Sequence, residues 1–215
     1  MSLFQQLNKR LGPSLFITVA TLGLVFLIAP EKFLVFVPLF FLYYLPLLGK
    51  DTIIPTAIVL GISPLMIAIT IAAADVSIAV FIIKNWDVVL RIPKFGKFLT
   101  KFGGKIEAYR IRWPWMREFA FTGLLLLTAV PFRGLGSFEG AIVSKILNMK
   151  EWRAINAIAI GSLISATALA YSSKAILPAL RKYPMVGAII LFSVFLLGYG
   201  IYWHKKHKNK LKKTL

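Results

Sequence analysis

The sequence predicts an all-α polytopic membrane protein, with four full transmembrane helices and two re-entrant helical hairpins that dip in from opposite faces. Three observations carry that expectation. The 215 residues are 58% hydrophobic with a mean hydropathy of +0.77, yet the net charge is +18. The apolar residues fall into blocks almost free of charge, with Lys and Arg gathered between them, as in membrane spans and their flanks. Two of the blocks, 33–62 and 119–148, are interrupted in the middle by Pro, Gly and charged residues.

Taken in order, residues 1–12 form a basic amino-terminal segment with Lys9 and Arg10. The apolar run from Pro13 to Pro30 has the start of a signal peptide, but only Ala29-Pro30-Glu31 follows it, without a small-residue cleavage pattern. A first span over 14–29 is therefore expected. Region 33–62, "FLVFVPLFFLYYLPLLGKDTIIPTAIVLGI", carries Pro38, Pro46, Gly49, Pro55 and the pair Lys50-Asp51. Its halves are about 10 to 15 residues long, too short to span alone. A second span is expected over 64–83, and two more over 154–173 and 185–203. Region 119–148 holds "TAVPFRGLGSFEGAIVS", the break of the second hairpin.

Charge sets the orientation. Loop 84–118 carries nine basic residues against three acidic ones, and the tail 204–215 adds six lysines. By the positive-inside rule these and the amino terminus are cytoplasmic. Hairpin 33–62 must then enter and leave on the outer side, and hairpin 119–148 on the inner side. All five tryptophans (Trp86, Trp113, Trp115, Trp152, Trp203) fall at the expected cytoplasmic ends, where an aromatic belt belongs. Within the loop, Phe95, Phe98, Leu99, Phe102, Ile106, Tyr109 and Trp113 keep to one face at helical spacing. That pattern describes an interfacial segment lying on anionic lipid headgroups, or else a solvated linker whose lysines only set topology. The whole chain, 1–215, reads as one membrane domain.

Several function classes drop out. Without cysteine there are no thiolate metal sites and no cysteine nucleophiles. His204 and His207 stand in a lysine tail with no carboxylate partner, so no metal is expected there. The glycines match no P-loop or dinucleotide fingerprint. Neither an enzyme nor a cofactor is expected, and the basic tail beside a span points to lipid rather than nucleic acid. Self-association into a homo-oligomer is compatible with the pattern.

Five charges lie in apolar territory: Lys50, Asp51, Asp75, Arg133 and Glu139. Each costs about 2.5–3.5 kcal/mol to place at mid-membrane, so each is a candidate functional residue. Arg133 stands in a Pro-Phe-Arg-Gly-x-Gly turn whose N–H groups and following half-helix suit an anion, with Gly134, Gly136 and Ser137 lining it. The alternative is an internal pair with Glu139. Glu139 reads either as a protonatable carboxylate or as a helix N-terminal cap. Lys50 and Asp51 occupy the corresponding place in the first hairpin, in a cavity or on an outer loop. Asp75, alone in mid-span, should face the interior and find a partner or a proton. Asn85 and Asn156 read as structural residues that cap or bridge helices. Paired, interrupted apolar segments in corresponding positions are the pattern of a transporter site near the midplane.

Pro131, Phe132, Gly134, Gly136, Gly140, Leu147, Arg153, Ala154 and Gly161, with the loop residues Asn85, Asp87, Ile92, Pro93 and Gly96, resemble the prokaryotic and largely archaeal small multidrug export family. Pro131, Arg133, Gly140, Trp152, Asn156 and Gly161 are also similar to the wider DedA superfamily. The resemblance covers about 40 to 161. It implies an inverted arrangement of the two hairpins in a prokaryotic plasma membrane. It also implies movement of an anionic lipid phosphate between leaflets with proton coupling. On the residues themselves, Arg133, Gly134, Gly136, Ser137 and Lys50 would bind the phosphate, and Asp51, Asp75 and Glu139 would supply counter-charge or a proton relay. Two other classes stay open, a proton-coupled small-molecule exporter and a non-transporting scaffold.

Overall fold

A computed structural model describes residues 3–45, 48–91, 115–131 and 136–182, and every regular element among them is an α-helix. In chain order these are α1 (Leu3–Ile28), α2 (Pro30–Tyr43), α3 (Lys50–Val59), α4 (Pro64–Lys84), α5 (Trp86–Leu90), α6 (Trp115–Ala129), α7 (Ser137–Ile146) and α8 (Glu151–Lys182). One compact unit runs from Met1 to Ser173; the described part of the second, from Lys174, is the end of α8.

Among the described residues, three helices are long and apolar enough to cross a membrane: Arg10–Ile28, Pro64–Lys84 and Glu151–Pro178. The protein is thus an all-helical membrane protein. The expected spans 14–29, 64–83 and 154–173 fall inside these helices, while 185–203, the tail, and the amphipathic segment 93–113 lie outside the described residues. α1 is largely exposed and α4 largely buried, so α4 is the central strut. Exposed Phe16, Leu27 and Leu34 form the apolar exterior that lipid tails would wet.

The breaks are narrower than the prolines suggest. Pro13, Pro38 and Pro55 lie inside α1, α2 and α3, and among the described residues the first broken block leaves the helix at 44–45, 48–49 and 60–63. A single missing N–H does not stop an apolar helix when no water is present to take up the freed backbone. α2 ends at Tyr43, and α3 begins after Gly49. Gly49 caps α3 in extended backbone, and Gly136 caps α7 in the same way.

The second broken block repeats the first. Half-helix α3 starts at Lys50 and α7 at Ser137, an offset of 87 (137 less 50). The same offset relates their last residues (Val59, Ile146) and the first residues of the long helices that follow (Pro64, Glu151). It also relates the two positive-φ residues, Gly61 at 82° and Asn148 at 50°. Each half-helix closes with the same left-handed turn, Ile62 N–H to Ala57 C=O at 3.0 Å and Met149 N–H to Ser144 C=O at 2.9 Å.

Packing fixes the direction of each half-helix. Ile53, Ile54 and Ala57 of α3 share a core with Ile67, Ala68 and Ile71, in the first half of α4, and with Ala166 and Ala170 of α8. Ala141 and Ile142 of α7 share a second core with Ala79, Ile82 and Ile83, in the last half of α4, and with Ala154, Ala157 and Ile158. So α4 and α8 run antiparallel, and the half-helices start at the same depth and run towards opposite ends of α4. Ten residues rise about 15 Å, half of the ~30 Å hydrocarbon thickness.

Candidate functional site

Both half-helices start beside Asp75. α4 is set by Ser63, whose Oγ accepts the Met66 N–H at 3.2 Å, and by Pro64 in its first turn. Eleven residues on, about 16 Å along the axis, Asp75 is 0% exposed. A bare carboxylate there would cost several kcal/mol, and the surroundings remove that cost by filling every acceptor position.

Oδ1 accepts from Tyr43 Oη at 2.5 Å and from Ser137 Oγ at 2.6 Å. Oδ2 accepts from Ser162 Oγ and from the Lys50 ammonium, 2.7 Å away. Four donors from α2, α7, α8 and α3 therefore occupy the roughly four lone-pair positions of an ionised carboxylate. The first turns of α3 and α7 also bring the positive ends of two helix dipoles to it.

Lys50 is satisfied in the same way. Its Nζ donates to Asp75, to Ser165 Oγ at 2.8 Å and to Ser162 Oγ at 3.1 Å, using all three N–H bonds. Ser165 Oγ in turn donates a hydrogen bond to the Ser162 carbonyl at 3.0 Å. Among the described residues no buried side-chain nitrogen or oxygen lacks a partner. The result is a closed, electrically neutral ion pair midway along the central helix.

Of the residues expected to carry function, Lys50, Asp75 and Ser137 meet directly. Lys50 stands next to Asp51 in sequence, yet its ionic partner is Asp75; Asp51 is exposed. Gly136 donates its N–H to Glu139 Oε2 at 3.1 Å, so Glu139 caps α7 one turn from the pair. Arg133 and Gly134 lie outside the described residues. Asn85 bridges helices as its type suggests, donating to Phe81 C=O at 2.8 Å and to Arg10 C=O at 3.3 Å. Among the described residues no group of three His, Asp or Glu could hold a metal ion.

Sequence reasoning missed Tyr43, Ser162 and Ser165. The signal lay in the spacing of the two serines, three apart and hence on one face of an apolar helix. The repeat offers a second signal, because Ser162 holds the position in α8 that Asp75 holds in α4, again 87 residues on.

Close packing supports the site. A Cβ at Gly161 would stand 2.0 Å from Thr128 Oγ1 and 2.6 Å from Leu125 C=O, and one at Gly140 would stand 2.9 Å from Thr128 Cγ2. Only glycine lets α6 press this closely onto α7 and α8, immediately beside Ser162.

A family model provisionally described as small multi-drug export protein matches residues 52–168, more than half of the chain. The match takes in Asp75, Ser137, Ser162 and Ser165 and begins two residues after Lys50. No curated protein and no solved structure matches.

Proposed function

The chain belongs to this small multi-drug export family, and from that premise we propose that it is a membrane exporter of small molecules, driven by exchange against protons at the buried Lys50–Asp75 pair. The observation that carries the reading is the complete coordination of an ionised pair at mid-depth, where charge without function is costly. The two half-helices would act as re-entrant segments entering from opposite faces, as the sequence pattern predicts. Rocking of one repeat against the other would then open the pair first to one side and then to the other. Four elements converge on Asp75, so any such movement must part some of its bonds. That links conformation to the occupant of the site.

Purified protein in vesicles, with an imposed pH gradient and a panel of ethidium and tetraphenylphosphonium, tests this. Wild-type protein should move at least one compound with the gradient, and Asp75→Asn should fall to the protein-free rate. Movement indifferent to the gradient, or full activity in Asp75→Asn, refutes the reading.

A second reading, the lipid-phosphate flippase suggested by the sequence, has one observation in its favour. Lys50 and two helix N-termini aim positive charge at one point. A headgroup phosphate could take the acceptor role once Asp75 leaves it. Translocation of a fluorescent anionic lipid, lost in Lys50→Gln, would select this reading over export.

A further inference from the structure

Helix α2 is held differently from its counterpart in the second repeat, and the difference bears on how the buried pair is reached. We propose that α2 is a lateral gate, bolted shut by the hydroxyls of Tyr43 and Tyr44. The molecule that the site takes then enters from the lipid, as an amphiphile with an apolar body and one polar or ionic group. What passes rests on the exporter reading; the gate rests on the packing of α2.

At the 87-residue offset, α6 is the counterpart of α2. At Gly140 and Gly161, α6 lies so close to α7 and α8 that no added carbon would fit. The corresponding positions beside α2 are Ile53 and Ala74, and the twin of Thr128 is Phe41. Thr128 is 1% exposed, whereas Phe41 is 54% exposed. Close backbone packing therefore clamps α6, while α2 has no glycine and meets the core through Phe36, Leu39 and Phe40. In water that apolar contact would pin the helix. In lipid the tails are as apolar as the core, so parting the two carries no hydrophobic penalty.

Directional bonds gather instead at the carboxyl end of α2. Tyr43 Oη donates to Asp75 Oδ1 at 2.5 Å, and Tyr44 Oη stands 3.0 Å from Thr18 Oγ1 of α1. Thr18 Oγ1 is also 3.0 Å from Ser77 Oγ of α4, which donates to the Ser14 carbonyl at 2.9 Å. One tyrosine ties α2 to the ion pair, and the other ties it to the seam of α1 and α4. The opposite end is a pivot. Ala29 alone separates α1 from α2, and its N–H donates to Val25 C=O at 2.9 Å.

The two faces of α2 set the direction of opening. Leu34 and Phe41 are exposed on the side that lipid tails wet. Phe36, Phe40 and Tyr43, at helical spacing, are buried on the other side and lead to Asp75. Swung about Ala29, α2 uncovers a passage with aromatic walls and an ion pair at its end. The place that the Tyr43 hydroxyl vacates on Oδ1 is where the polar group arrives. Such a passage suits a molecule already dissolved among the tails. One that stays in water has no route into it.

The test measures distances between spin labels on the full chain in lipid nanodiscs, which the absence of native cysteine permits. Phe41→Cys with Ile164→Cys spans α2 and α8 at exposed positions, and Leu126→Cys with Ile164→Cys is the α6 control. Tyr44→Phe should raise the share of a longer α2 distance about fivefold, as the loss of one ordinary hydrogen bond does. Tetraphenylphosphonium should shift wild type in the same direction, and the α6 distance should stay fixed. In vesicles, tetraphenylphosphonium and ethidium should be moved, whereas tetramethylammonium, equally charged but insoluble in lipid, should not. An α2 distance indifferent to both Tyr44→Phe and tetraphenylphosphonium overturns the gate, as does an equal shift at α6. Should Tyr44→Phe fail to fold, Thr18→Val removes the same bond from the other side. Tetramethylammonium moved as fast as tetraphenylphosphonium overturns entry from the lipid and leaves the exporter reading intact. If no compound is moved yet the α2 distance lengthens, the exporter reading falls and the gate stands.

Discussion

Removing one member of the buried pair should cost about as much as removing both, so the two penalties should not add. At 2.7 Å and an effective permittivity of 20, Lys50 and Asp75 attract by about 6 kcal/mol. Desolvation takes back several kcal/mol for each ion, so the pair adds little net stability. Lys50→Met alone strands a carboxylate that is 0% exposed, which costs about 3–5 kcal/mol. Asp75→Leu alone strands the ammonium with a similar penalty and also leaves Tyr43 and Ser137 short of an acceptor. In the double variant both charges are gone. Ser162 can turn its hydroxyl to a carbonyl one turn back, leaving mainly Tyr43 and Ser137 short of an acceptor, at about 1–3 kcal/mol each. The double-mutant cycle should therefore show a coupling of at least about 3 kcal/mol, read from equilibrium unfolding in mixed micelles. Penalties that add within about 0.5 kcal/mol would mean that the two charges do not meet, and the site as described would be wrong.

Gly161→Ala should lower stability by about 1–3 kcal/mol, and Thr128→Ala should rescue it only in part, because Leu125 C=O also stands in the way; thermal melts of the three chains decide. Gly61→Ala should cost about 1–2 kcal/mol at φ 82°, whereas Asn148→Gly should change stability by less than about 0.5 kcal/mol, and equal effects would contradict the matched turns. The chain has no cysteine, so Leu60→Cys and Lys150→Cys, in the turns after α3 and α7, can be labelled singly with an impermeant maleimide. Labelling is expected from opposite sides of the membrane, and reaction of both from one side would refute the opposed half-helices.

Much of this was legible in the residues. Blocks of apolar sequence and their basic flanks marked the three described spans, because lipid forbids charge along a helix exterior. Asp75 stood out as a lone acid in mid-span. The partner of Lys50 was not legible: its neighbour in sequence is Asp51, but the ammonium turns 25 positions along the chain to Asp75, a choice made by helix packing. Tyr43, Ser162 and Ser165 were hidden for a different reason. Serine and tyrosine are ordinary on apolar helices, and only a buried carboxylate opposite turns them into ligands. Prolines 38 and 55 overstated the interruptions, since a helix in an apolar setting has nowhere else to place its hydrogen bonds.

The 87-residue repeat is faithful in backbone and unfaithful in chemistry. Lys50 and Asp75 belong to the first copy, and their twins are Ser137 and Ser162. In a transporter made of two identical halves, the inward and outward arrangements would be mirror twins of equal free energy, and an empty molecule would divide its time evenly between them. Here exchanging the roles of the halves sets hydroxyls where the ions were. In the exporter proposed above, the two arrangements would therefore not be degenerate, and the unloaded protein would have a resting side set by four side chains before any gradient is applied.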